Sequence, residues 1–233
     1  MNQKILFKLP SRSRPNRLFE VLDLTYEKLV NKEDFLFLLT LDSDDSTMNN
    51  PDVLDRINSY KNMNYIFDFS DSKISAVNRD LDEFDKSWDI LVLLSDDMYP
   101  IINGFDNILR INFMQYFPDF DGVLWFNDGY KKSELNTLCI LGKKYYDRFG
   151  YIYHPSYKSL YCDNEFTEVA KQLNKQKYFS DVIIEHKHYS NGDNSQYYDE
   201  LYKINEKYFL EDKTNFNNRK KTNFDLDNGK NTK

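Results

Sequence analysis

The sequence predicts an α/β fold, a three-layer sandwich around a mostly parallel central sheet. Three observations predict it. Over residues 1–100, strand-like apolar runs alternate with helical patterns. That alternation gives parallel strands joined by right-handed crossovers, with helices on both faces. Ile90 to Leu94 is apolar without a break, as suits a strand buried on both faces. Successive strands end in polar or acidic residues, at the sheet edge where open α/β folds bind ligands.

Each element has a local reason. Lys4–Leu9 reads as a first strand and runs into the loop Pro10-Ser-Arg-Ser-Arg-Pro15. A helix over about 16–30 follows, with Leu18, Leu22, Thr25 and Leu29 on one face. Backbone N–H groups and the guanidinium forks of Arg12 and Arg14 converge there, which suits a phosphate or a nucleotide base. Phe35–Leu41 is a second strand and ends in Asp42-Ser-Asp44. Pro51 starts a short helix to about Tyr60, and Asn64–Phe69 is a third strand. Ser70 or Ser72 can cap a helix that runs to about Phe84. The fourth strand, Ile90–Leu94, ends in Ser95, Asp96 and Asp97, and Pro100 stops it.

The second half is less regular. Phe105–Phe117 reads as a helix, 121–129 as a strand closed by an Asp-Gly turn, and Asn136–Leu141 as another strand. Lys143–Phe149 is a short helix closed by Gly150, and a helix opens near Leu160 with Asp163 at its start. Asp181–His188 is a strand with His186 and His188 on one face. A tyrosine-rich helix covers about 195–210.

The whole chain narrows the function classes. It has 233 residues, 30 % of them charged and 16 % aromatic, which argues against disorder over most of its length. A net charge of −7 argues against general nucleic-acid or anionic-membrane binding. Cys139 and Cys162 form neither a disulfide framework nor a zinc pattern. Every long apolar run is strand-sized, so a soluble cytoplasmic protein is expected.

Asp96 and Asp97 repel each other unless a cation or donors neutralise them. The simplest neutraliser is a hard divalent ion, Mn²⁺ or Mg²⁺, which keeps positions free for phosphate oxygens. His186 and His188 can add an imidazole nitrogen. Asp163 and Glu165 lie in a first helical turn, where the macrodipole keeps a carboxylate ionised, and either could take a proton from a hydroxyl. These are the parts needed to transfer a sugar from a nucleotide-diphosphate donor. Each also has a structural role open to it: a cap for Asp163, first-turn stabilisation for Glu165, core packing for Trp125.

Over residues 4–192 the sequence resembles a glycosyltransferase of the GT-A fold, near the large family 2 group. The resemblance rests on the loop 10–15, on Asp42 and Asp44, and on Lys73-Ile-Ser-Ala-Val-Asn78. It also rests on Ser95-Asp96-Asp97 at the Asp-x-Asp position, on Asp163-Asn-Glu165, and on His186-Lys-His188. It implies a GT-A, Rossmann-like fold in one domain over 1–211. Residues 1–100 would bind the nucleotide, and 101–211 the acceptor and metal. Residues 212–233 are polar and Asn-rich and are expected to be a disordered tail. By the resemblance, Asp97 with His186 or His188 would bind metal. Pro10, Ser11, Arg12, Arg14, Asp42, Asp44, Lys73, Asn78 and Asp96 would hold the nucleotide sugar, with Ser95 where an acid often stands. Asp163 or Glu165 would be the base of an inverting transfer. Trp125 and Asp128 would face the acceptor, Trp125 by stacking. The expected donor is a UDP-sugar. The acceptor class stays open among glycan, lipid-linked sugar, protein and modified base.

Two alternatives stand beside this. Asp42-Ser-Asp44, Ser70, Lys73 and Asp96-Asp97 also suit a haloacid-dehalogenase-like, magnesium-dependent phosphatase, although Ser46 stands where that family has Thr or Val. Ser95 also permits a non-catalytic nucleotide-sugar-binding module.

Overall fold

The computed structural model of the protein describes residues 3–228. Its centre is a seven-stranded sheet in the order β3-β2-β1-β4-β7-β6-β8. The strands are β1 (Ile5–Ser11), β2 (Phe35–Asp42), β3 (Met63–Asp68), β4 (Ile90–Leu93), β6 (Val123–Phe126), β7 (Ile140–Gly142) and β8 (Gln176–Phe179). β1 lies parallel between β2 and β4, with Ile5 beside Phe35 and Ile90. β7 runs antiparallel to β4 and β6, and β6 is parallel to β8. Strand order therefore reverses between β1 and β4. The crevice beyond their carboxyl ends is the position at which such sheets bind ligands.

The side-chain alternation along β1 sorts the core into two layers. Ile5, Phe7 and Leu9 join Phe35, Phe37, Ile90 and Val92 against α1 (Pro15–Lys28) and α4 (Phe105–Tyr116). Leu6, Leu38, Leu91 and Leu93 face the other way, towards α3 (Lys73–Asn78), α5 (Lys143–Asp147) and α6 (Cys162–Gln172). Lys8 also faces this second layer and is fully buried. It donates to Thr40 and to the carbonyl of Arg79, with Asp80 3.7 Å away. Burial pushes its pKa down to about 7, against the pull of Asp80. Between β2 and β3 lies α2 (Pro51–Asn58), with Pro51 in its first turn and Asn50 as its cap.

Several elements differ from the sequence expectation. The helix expected from Ser70 to Phe84 is only α3, capped by Ser72, whose hydroxyl accepts from the Ser75 N–H at 3.1 Å. Arg79 turns extended and Asp80 takes a φ of 75°, which ends it. A further strand, unread in the sequence, follows β4 and ends at Pro100. Met98–Pro100 forms β5, which pairs antiparallel with β9 (Ile184–His186) in a separate two-stranded sheet. So short a strand carries no periodicity of its own, and its partner is remote in sequence. β8 also went unread, because half-buried strand-edge residues alternate weakly.

The expected tail is corrected as well. Beyond a 3-10 turn at Ser195–Tyr197 come α7 (Glu200–Glu206) and α8 (Phe209–Lys221). Asp212, Asn215 and Arg219 fall on one face of α8 and are tied to residues 156–165. The Asp212 carboxylate is fully buried. It accepts the backbone N–H groups of Lys158, Ser159 and Leu160 at 2.8–2.9 Å. A helix anchored by polar groups looks like a solvated tail in the sequence. Residues 229–233 of that expected tail lie outside the described residues. Among the described residues, no helix is long and apolar enough to cross a membrane.

Candidate active site

A cavity of about 490 Å³ opens beyond the carboxyl ends of β1, β2 and β4. That size lies within the range of small-molecule and cofactor sites. Pro10, Ser11, Arg12 and Arg14 line it after β1, Asp42 and Asp44 after β2, and Ser95, Asp96 and Asp97 after β4. Lys73 borders it from the start of α3, Asp163 from the first turn of α6, and His186 and His188 from β9 and its exit. Residues distant in sequence thus share one wall, because parallel strands all end at the same edge.

The acids and bases of this edge are already engaged with one another. Arg12 donates to Asp42 at 2.9 Å and to both oxygens of Asp44 at 2.5 and 3.0 Å. Arg79 approaches the second oxygen of Asp42 at 3.4 Å and also donates to the Leu41 carbonyl. Arg14 donates to Asp96 at 3.0 Å. Arg17, one helical turn further, adds positive charge near Asp96 and Asp97. Burial raises Asp96 to about 6, with Arg14 opposing. Burial would also raise Asp97. The charge and hydrogen bond of His186 and the hydroxyls of Ser95 and Tyr202 outweigh that, and its carboxyl is held well below the usual range.

β5 and β9 bring Asp97 and His186 together. Met98 pairs with His186 across the small sheet, and the Lys187 N–H donates to the Asp97 carbonyl at 2.8 Å. His186 Nε2 then stands 3.4 Å from Asp97 Oδ1. Two donors bonded to one hard divalent ion on adjacent corners are separated by roughly 3 Å. The His186 Nδ1 is buried and has no hydrogen-bond partner. Among the described residues, no group of three or more His, Cys, Asp or Glu side chains is arranged to hold an ion. A carboxylate and an imidazole could supply two ligands to a divalent ion such as Mn²⁺, with water and phosphate oxygens able to complete its shell. The His188 ring lies 5.7 Å from that of His186. Burial, with help from the His186 charge, pushes it down to about 4, so it is neutral above that pH.

Asp163 borders the cavity, and burial raises its pKa, with the Lys73 charge opposing. Tyr161, just before α6, sits at a φ of 60°, so the entry to this helix is strained.

Four expected site residues do not reach the cavity. Glu165 points away from it and is locked by Arg219 at 2.7 and 2.8 Å and by the Tyr157 hydroxyl at 2.7 Å. Residues two apart on a helix face nearly opposite directions, so of the two candidates for the base only Asp163 reaches the cavity. Asn78 clasps the loop at 150–157, accepting from the N–H groups of Ile152 and Tyr153 and donating to the Tyr153 carbonyl. Trp125 is buried in β6 with Tyr178 edge-on at 5.2 Å, so no acceptor can stack on it. Asp128 is buried and accepts from the N–H groups of Tyr130 and Lys131 and the hydroxyl of Thr137. Its role is to hold a turn.

Sequence reasoning missed Asp199 and Tyr202, which touch Arg14 and Asp97 from α7. Among so many tyrosines, nothing in the sequence sets Tyr202 apart from packing residues. The one signal is Asp199 three residues earlier, a cap that fixes where α7 begins.

With sheet order, crevice and side chains described, the class of fold is defined: it is the GT-A glycosyltransferase fold. It is similar to the mannosyltransferase PcManGT from Pyrobaculum calidifontis, solved in complex with GDP-Man and Mn²⁺, with a TM-score of 0.58 at 12 % identity. That match covers 78 % of this chain and 55 % of the other. It is similar also to S. aureus TarS 1–349 in complex with UDP-GlcNAc, with a TM-score of 0.60 at 15 % identity over 84 % of this chain and 62 % of that one. The chain thus spans little more than half the length of these structures. No protein-family model matches the sequence. No curated protein matches it.

Proposed function

We propose that the protein is a metal-dependent glycosyltransferase that moves a sugar from a UDP-sugar to an acceptor hydroxyl with inversion. The observation that carries this is the meeting of Asp97 and His186, 3.4 Å apart, at the switch point of a GT-A sheet. The two similar structures carry a nucleotide sugar, one of them with Mn²⁺, which supports the same ligand class here.

The residues divide the work. Asp97 and His186 would hold Mn²⁺ or Mg²⁺, which when bound would supply positive charge for the departing diphosphate. Arg14, from the β1 loop, offers a planar fork to phosphate oxygens. Asp42, steadied by Arg12 and Arg79, can accept from ribose hydroxyls or a base N–H. Asp163 takes the proton of the acceptor hydroxyl as that oxygen bonds to the anomeric carbon and the bond to diphosphate breaks. Burial strengthens it as a base by raising its pKa towards the working range.

The phosphatase alternative is disfavoured by Asp42. That mechanism needs a free carboxylate oxygen as nucleophile, and both Asp42 oxygens are held by arginines. The test is incubation with Mn²⁺ and a panel of UDP- and GDP-sugars, followed by detection of released nucleoside diphosphate. Release that requires the metal and is lost in Asp163→Asn supports the proposal. Donor binding with no release from any sugar, with or without simple glycan acceptors, would favour a binding module instead.

A further inference from the structure

Helix α7 occupies the groups that a donor would need. The Tyr202 hydroxyl donates to Asp97 Oδ2 at 2.7 Å. Asp97 Oδ1 meanwhile takes the Ser95 hydroxyl and faces His186. Arg14 donates through Nε and Nη2 to the two oxygens of Asp199, at 2.7 and 2.6 Å, and its remaining nitrogen goes to Asp96. Its guanidinium also lies 4.3 Å over the Tyr202 ring. Each nitrogen of Arg14 and each oxygen of Asp97 therefore already has a partner within the chain. A cation on Asp97 and a phosphate on Arg14 would compete with these contacts.

The neighbours of α7 suit such a movement. Leu201, Ile204 and Asn205 of α7 themselves line the cavity. On one side the chain passes through Gly192, at a φ of 51°, and a largely exposed stretch. On the other, a break at Lys207 and Tyr208 separates α7 from α8, which Asp212 and Arg219 fix in place. α7 is thus a short helix between an exposed connection and an anchored helix.

We propose that α7 is an internal competitor for the donor site: Tyr202 and Asp199 stand in for the cation and the diphosphate, and donor binding releases them. This rests on the donor-site reading of Asp97 and Arg14. Calorimetric titration of UDP in the presence of Mn²⁺ tests it with the wild type, Tyr202→Phe and Asp199→Asn. Phenylalanine keeps the ring over Arg14 and removes only the hydroxyl. Asparagine keeps the helix cap and removes the ion pair. Each variant has less to break, so each should bind UDP–Mn²⁺ about tenfold more tightly, the size of one hydrogen bond to a charged group. Hydrogen exchange on the wild type gives a second readout: amides of 200–206 should lose protection when Mn²⁺ and UDP are added.

Equal or weaker binding by both variants, with normal binding by the wild type, overturns the competitor and leaves the donor site standing. Gained protection over 200–206 does the same, because α7 would then close over the ligand. No UDP binding by any of the three proteins overturns both.

Discussion

Replacing Asp212 with Ala tests whether the C-terminal helix belongs to the fold. The carboxylate is fully buried and accepts three successive backbone N–H groups, those of Lys158, Ser159 and Leu160, at 2.9, 2.9 and 2.8 Å. Alanine leaves those donors without partners. Each buried, unmade hydrogen bond costs about 1–3 kcal/mol, and water entering beside Ser159 can recover part of it. The expected loss is about 4 kcal/mol, which lowers Tm by about 10 °C for a chain of this size. Asparagine keeps one oxygen for two of the donors but turns an amide N–H towards the third, so it should recover about half. Urea denaturation of the three proteins at pH 7 reads this directly, as a fall in midpoint at constant m-value. A loss below about 1 kcal/mol in Asp212→Ala would refute the anchoring of α8 and restore a dispensable tail. The same loop leads through Tyr161 to Asp163, so the variant should also reduce turnover more than UDP binding.

The acids of α6 should separate by role. Asp163→Asn should lower turnover by about a hundredfold or more with UDP affinity unchanged. Glu165→Gln should instead lower stability by about 2 kcal/mol, because half-buried Arg219 loses its two-oxygen partner and keeps only Asp225; assays of nucleotide release and urea midpoints distinguish them, and swapped outcomes would reverse the assignment. His188 gives a pH signature in metal-free protein. Its folded pKa of about 4 lies below the unfolded value of about 6.5, so the unfolded chain binds more protons between them. Its contribution to stability is complete above about pH 6.5 and is lost as pH falls towards 4. Urea midpoints for wild type and His188→Gln should therefore converge as pH drops through that window, and parallel curves would contradict a buried neutral imidazole.

Much of the fold was legible because period and position carried it. The apolar runs of β1, β2 and β4 are buried on both faces, and their polar ends meet at one edge. Arg12, Arg14, Asp42 and Asp97 were readable from that rule alone, since strand ends are fixed by the runs before them. Residues at helix starts and in strand interiors were not. The sequence shows that Asp163 and Glu165 share a turn, but not which way the helix is rolled, and that roll sends Glu165 to Arg219. Trp125 and Asp128 flank a strand end on the antiparallel side of the sheet, where Trp125 packs in the core and the Asp128 carboxylate turns into its own turn behind the cavity wall. Asn78, Asp128 and Asp212 look alike in sequence to ligand-binding polar residues, and each is spent on backbone groups. The α7 contacts were hidden because they join residues near both ends of the chain through hydroxyl and carboxylate groups, with no apolar stripe to announce them.

The most direct test of a metal-dependent donor site at Asp97 is calorimetric titration of UDP into wild type and Asp97→Ala, each with and without Mn²⁺. Binding by the wild type that requires Mn²⁺, with none by an Asp97→Ala protein that still unfolds cooperatively, is the predicted result. Equal binding by both proteins, or wild-type binding indifferent to the metal, would contradict the site as described.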